Sequence, residues 1–107
     1  MQKPSEIIIF ITAADEQEAK AIAKLLLESK IIACANIVPK VDSMFWWQGK
    51  LQSEAECMLI LKTKLSLLDE VADMVKAAHS YDVPEIIALP IIGGNPDYLN
   101  WIQDVTK

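Results

Sequence analysis

His79 is the only histidine in the chain, and it heads the string His79-Ser80-Tyr81-Asp82-Val83-Pro84-Glu85. An imidazole followed by two carboxylates, Asp82 and Glu85, can offer nitrogen and oxygen to a divalent cation, and imidazole suits copper and zinc. The set is thin, because tight transition-metal sites use roughly three or four protein ligands. The plainer role for His79 is as the last residue of a helix, where a positive ring meets the dipole favourably. Lys62 closes a strand face that otherwise carries Met58 and Ile60. A partly buried ammonium there needs a partner, and Glu54 or Glu85 from the same or a neighbouring chain would serve. A cleft between subunits that gathered Lys62, His79, Tyr81, Glu85 and Trp47 would hold a small anion or a metal complex. The same residues would equally make a structural ion-pair network. Cys34 is a soft donor for Cu(I), but its neighbours Ala33 and Ala35 are small and apolar, so it reads as a structural thiol. Cys57, on the apolar side of its strand, reads the same way. No G-x-S-x-G, H-E-x-x-H or Gly-rich phosphate loop is present, and the chain is expected not to be an enzyme.

The elements that must position these residues are legible in the hydrophobic pattern. Ile7 to Ile11 is an unbroken apolar, largely β-branched run and predicts a central strand over Glu6 to Thr12. Asp15 with Glu18 is a capping pattern, and Ala19, Ile22, Leu25 and Leu26 give the helix behind it its apolar stripe, ending near Ser29-Lys30. Ile31 to Val41 is strand-like, with Pro39 marking a bulge or an edge. Strand character resumes through Met44-Phe45-Trp46-Trp47 and breaks at Gln48-Gly49-Lys50, a hairpin turn. From Ser53 to Thr63 the faces alternate: Ala55, Cys57, Leu59 and Leu61 on one, Glu54, Glu56, Met58, Ile60 and Lys62 on the other. Ser66 with Asp69 reads as a second capping box, opening a helix striped by Leu68, Val71, Val75 and Ala78. After the loop at His79, Glu85 to Ile92 is apolar strand, broken by Gly93-Gly94. Asn95-Pro96-Asp97 then caps a last helix with Tyr98, Trp101, Ile102 and Val105 on one face.

The order is that of an α+β, ferredoxin-like split βαβ domain (βαββαβ) with an added C-terminal helix and an antiparallel sheet. At 107 residues, 1–107 is expected to be a single domain. Two helices cover one face of such a sheet. Yet Ile7 to Ile11, Met58 with Ile60, and the adjacent pair Trp46 and Trp47 are apolar on both faces. Cover from a neighbouring subunit is the expected solution. The chain is 52% hydrophobic with net charge −5, and all ten basic residues are lysines. No basic stripe suits nucleic acid. No apolar run is long enough to cross a bilayer. Met1-Gln2-Lys3-Pro4 has the wrong order and length for a signal peptide, so a cytoplasmic protein with reduced thiols is expected.

Ala33-Cys34-Ala35-Asn36-Ile37-Val38-Pro39, Phe45-Trp46-Trp47-Gln48-Gly49-Lys50, Ile60-Leu61-Lys62-Thr63, His79 through Glu85, and Leu89-Pro90-Ile91 leading to Gly94-Asn95-Pro96-Asp97-Tyr98-Leu99-Asn100-Trp101 follow one another in register. Together they resemble the CutA family of divalent cation tolerance proteins. The resemblance implies a ferredoxin-like homotrimer, similar in architecture to the PII signalling trimers that bind small metabolites between subunits. It also implies a link to copper or another divalent cation, none of them obligatory. A purely structural trimeric scaffold is the remaining alternative. Members with proposed metal ligands carry a cysteine at the end of the first strand and a second histidine beside the first. Ile11 and Ala78 stand at those positions here, so the resemblance implies weak metal binding.

Overall fold

Five consecutive apolar residues, Ile7 to Ile11, can be buried only in the middle of a sheet, and that is where they lie. The computed structural model describes residues 5–107; the reading of Met1-Gln2-Lys3-Pro4 falls outside them. The elements are β1 (Glu6–Ala13), α1 (Glu16–Glu28), β2 (Cys34–Trp47), β3 (Lys50–Lys64), a 3-10 turn (Leu65–Leu67), α2 (Leu68–Ala78), β4 (Ile86–Pro90) and α3 (Pro96–Val105). The four strands form one sheet in the order β2-β3-β1-β4, with every neighbouring pair antiparallel. This is the ferredoxin-like α+β arrangement.

Alternation divides the sheet into two unlike faces. Ile7, Ile9, Ile11 and Ala13 of β1 and Cys57, Leu59 and Leu61 of β3 share the main core with Ala19, Ile22, Ala23 and Leu26 of α1 and Val71 and Val75 of α2. Met74, not Ala78, extends the α2 stripe; Ala78 is exposed. The opposite face carries Glu6, Ile8, Phe10 and Thr12, and α3 lies against one end of it. Gln103 of α3 hydrogen-bonds to the Glu6 carboxylate. The Tyr98 hydroxyl is 3.6 Å from the Cys34 sulfur. Ile102, fully buried, is outside the main core. The chain thus supplies part of the second cover itself, while Tyr98, Trp101 and Val105 stay substantially exposed.

The capping readings divide. Asp15 caps α1, its side chain accepting from the Glu18 N–H at 2.8 Å. Asn95 caps α3 with Pro96 at the first turn. Ser66 caps nothing: the chain takes a 3-10 turn first, and α2 starts at Leu68 with no side-chain cap.

Beyond Ala13, where β1 ends opposite Cys57, β2 and β3 continue as a two-stranded arm. The register shifts between Val38 and Val41, so Pro39 sits at a bulge on an edge strand, where its missing N–H costs no ladder bond. The arm closes through Gln48 (φ 50°) and Gly49 (φ 77°), the two left-handed residues that a tight hairpin turn requires. Cross-strand pairing places Ser43, Phe45 and Trp47 on one face with Glu54 and Gln52, and Met44 and Trp46 on the other with Leu51. Within one chain both tryptophans are largely open, Trp46 at 73% and Trp47 at 52%.

Candidate functional site

The arm, the end of β1 and the loop from His79 to Glu85 meet at a corner. They enclose a groove of about 640 Å³ whose walls include Phe45, Trp47, Glu54, Tyr81, Asp82 and Glu85. Three of these, Phe45, Trp47 and Glu54, come from one face of the arm. The others hang on the loop, which must travel from the end of α2 to the start of β4 opposite Ile11.

Four hydrogen bonds fix that loop. The His79 side chain is fully buried. Its Nε2 lies 2.7 Å from the Thr12 carbonyl oxygen. A carbonyl can only accept, so Nε2 carries the proton. The lone pair on Nδ1 then accepts the Tyr81 N–H at 3.0 Å. Glu18 accepts the Ser80 N–H with Oε2 at 3.0 Å and the Ala14 N–H with Oε1 at 3.1 Å. The same Oε1 is 3.7 Å from His79 Nδ1. Burial pushes the Glu18 carboxyl up, but the bonds from Ser80 and Ala14 and the nearby imidazole outweigh it and hold the group below its ordinary range. The Tyr81 ring lies tilted over His79, centroids 4.6 Å apart, and its hydroxyl donates to Glu56 Oε2 at 2.8 Å. Burial, then the Glu56 bond, then the charges of Glu56, Glu54 and Glu18 push the Tyr81 phenol well above its ordinary value, so it is a neutral donor.

The residues singled out in the sequence are therefore sorted differently by the fold. Tyr81, Asp82, Glu85 and Trp47 share the groove. His79 stands behind it, its ring screened by Tyr81. With one ring nitrogen donating and the other accepting, His79 in this geometry has no lone pair free for a metal. Among the described residues, no three His, Cys, Asp or Glu side chains gather closely enough to share an ion. A tight transition-metal centre does not fit a single chain. Lys62 is apart from the groove within one chain: it stands opposite Ile8 and Cys34 and donates to the Asn36 side chain. Within one chain its partner is thus a neutral amide on β2, not that same chain's Glu54 or Glu85. Both thiols are free. Cys57 is fully buried, and burial, with the charges of Glu16 and Asp15, pushes its thiol up. Cys34 is half-buried beside Tyr98.

Sequence reasoning missed Glu18 and Glu56 as parts of the site. Glu18 reads as a capping residue, which it is, but its second oxygen reaches across to the loop. Glu56 reads as one more carboxylate on the polar side of β3, yet it is 8% exposed. The signal that could have found it is the tyrosine in the loop, a donor that needs a buried acceptor.

A family model described as "CutA1 divalent ion tolerance protein" matches residues 7–105. The Thermus thermophilus divalent-cation tolerance protein CutA is 43% identical over 101 residues, covering 94% of this chain and 98% of that one. The rice chloroplastic protein CutA 1 is 48% identical, but the chain spans only 57% of its length. The rice CutA1 crystal structure superimposes with a TM-score of 0.94 at 46% identity, covering 98% of this chain and 96% of that one. The Thermus thermophilus structure gives 0.93 at 42%, covering 95% and 99%. Fold and sequence agree over nearly the whole length: the chain belongs to the CutA1 divalent ion tolerance family.

Proposed function

We propose that this protein works in tolerance to divalent metal ions, copper among them, as a homotrimer that binds metal weakly and catalyses nothing. The observation that carries the binding part is the groove wall. Glu54, Asp82 and Glu85 line it without gathering closely enough in one chain to share an ion, and no lysine appears in the lining among the described residues. An all-oxygen set suits hard cations better than copper, so weak and poorly selective binding is the expected behaviour. The copper response itself rests on kinship alone. The trimer is supported by apolar surface that one chain leaves open: Met44, Trp46 and Leu51 on the arm, and Ile87, Leu89 and Ile92 on and after β4. Two free thiols accord with a reducing compartment, and we place the protein in the cytoplasm. None of its helices among the described residues is long and apolar enough to cross a membrane.

Calorimetric titration with Mn(II) and Cu(II) tests the site. The wild type should bind both weakly, and Asp82→Asn with Glu85→Gln should lower that binding several-fold. Unchanged binding in the double variant removes the groove from the reading. Binding that is lost in His79→Gln instead would mean that the imidazole leaves its two hydrogen bonds to take the metal. No binding in the wild type favours a metabolite sensor of the PII-like kind.

A further inference from the structure

The His79 ring is held by two bonds that a proton would set against each other. Nε2–H donates to Thr12 and stays as it is in either charge state. Nδ1 accepts from the Tyr81 N–H at 3.0 Å only while it is unprotonated. Adding a proton to Nδ1 brings two donors face to face, and that contact must open. A replacement acceptor is already in place, since Glu18 Oε1 lies 3.7 Å from Nδ1. Around the ring, α1 offers Glu18, β1 offers the Thr12 carbonyl, the loop offers Tyr81, and β3 offers Glu56 through the Tyr81 hydroxyl.

We propose that His79 is a proton-operated latch on the loop that walls the groove. Unprotonated, it holds the Tyr81 backbone against the end of β1. Protonated, it turns Nδ1–H toward Glu18 and releases the Tyr81 N–H. Release removes one of the four bonds that fix the segment carrying Tyr81, Asp82 and Glu85, so the groove wall loosens in acid, still tethered through Ser80 and the Tyr81 hydroxyl, while the sheet beneath it stays paired. Glu18 is suited to the exchange because it already holds Ser80, the residue between the two partners. The proposal rests on the geometry of His79 and stands whether or not the groove binds metal.

The sole histidine makes the test unambiguous. In ¹⁵N-labelled wild-type protein, imidazole nitrogen shifts report the tautomer and its titration, and the Tyr81 amide reports the latch. At neutral pH the shifts should show the Nε2–H tautomer. As pH falls, Tyr81 amide exchange, corrected for its intrinsic pH dependence, should rise about tenfold or more with the same midpoint as the ring. Amides of β1 and β3 should keep their protection. In Glu18→Gln the release of the Tyr81 amide should still coincide with the titration of the ring. A Tyr81 amide that stays protected through the ring titration overturns the proposal. So does a release whose midpoint differs from that of the ring, or an Nδ1–H tautomer at neutral pH. The wild-type titration decides the matter alone if the variant does not fold.

Discussion

One hydroxyl ties the loop to the sheet, and its loss should be measurable. Tyr81→Phe keeps the ring over His79 but removes the donor to Glu56 Oε2. The bond is to a charged, nearly buried acceptor, so a loss of about 1.5 kcal/mol is expected at neutral pH. The alkaline behaviour follows from the raised phenol. A group whose folded value lies above its unfolded value of 10.0 contributes fully below that pH. The contribution is lost as pH rises beyond it toward the folded value. Urea midpoints of wild type and Tyr81→Phe should therefore differ clearly near pH 8, and converge in strongly alkaline solution. A constant gap would show that the stabilisation does not depend on the phenol proton. At this scale the sequence is legible only in part. Residue types with chemical capacity stand out, but whether a lone pair is free does not. His79 is conspicuous as a possible ligand, and only the positions of the Thr12 carbonyl and the Tyr81 N–H reveal that both nitrogens are spent.

Elements are more legible than sites, because periodicity reports the face on which a residue is buried. The β-branched run of β1, the alternation along β3 and the Asn95-Pro96 start of α3 all translate directly into structure. Capping is subtler, since it depends on where the backbone first turns helical. Asp15 and Ser66 carry similar local patterns and have different fates. Asp15→Ala should cost about 1 kcal/mol, the usual value of an N-cap. Ser66→Ala should change stability by no more than about 0.5 kcal/mol, because its hydroxyl caps nothing. Chemical denaturation of the two variants checks both, and equal losses would restore the second capping box. The placement of α3 was not legible. Its stripe of Tyr98, Trp101, Ile102 and Val105 says that one face is apolar, but not that the helix crosses to the far side of the sheet. That choice is made by long-range contacts, Gln103 with Glu6 and Tyr98 with Cys34, which leave no local trace.

As a whole, the molecule has a covered half and an open half. The body of the sheet is packed on both sides at one end, while the arm lengthens the chain to 43 × 30 × 22 Å and carries apolar side chains into the open. Light scattering after size exclusion should give three chains per particle, and a monomer at micromolar concentration would refute the proposed trimer. Trp46→Ala should then make thermal unfolding depend more steeply on protein concentration. Its 73% exposure within one chain means that it should cost an isolated subunit little. The arm also bears on the order in which the chain is built. Its strands are joined by Gln48 and Gly49 alone, whereas β1 and β4 must bring Ile7 to Pro90. Closing a short loop costs less entropy than closing a long one, and local pairings reward that cost sooner. The hairpin should zip from its turn while the first and last strands are still apart. Gly49→Ala meets no neighbouring atom, yet it forces a side chain into a left-handed turn. In stopped-flow experiments it should slow refolding and leave the unfolding limb nearly unchanged. The feature that would reach other subunits in the proposed trimer is thus the one the chain completes first by itself, so assembly would meet a finished arm on an unfinished body.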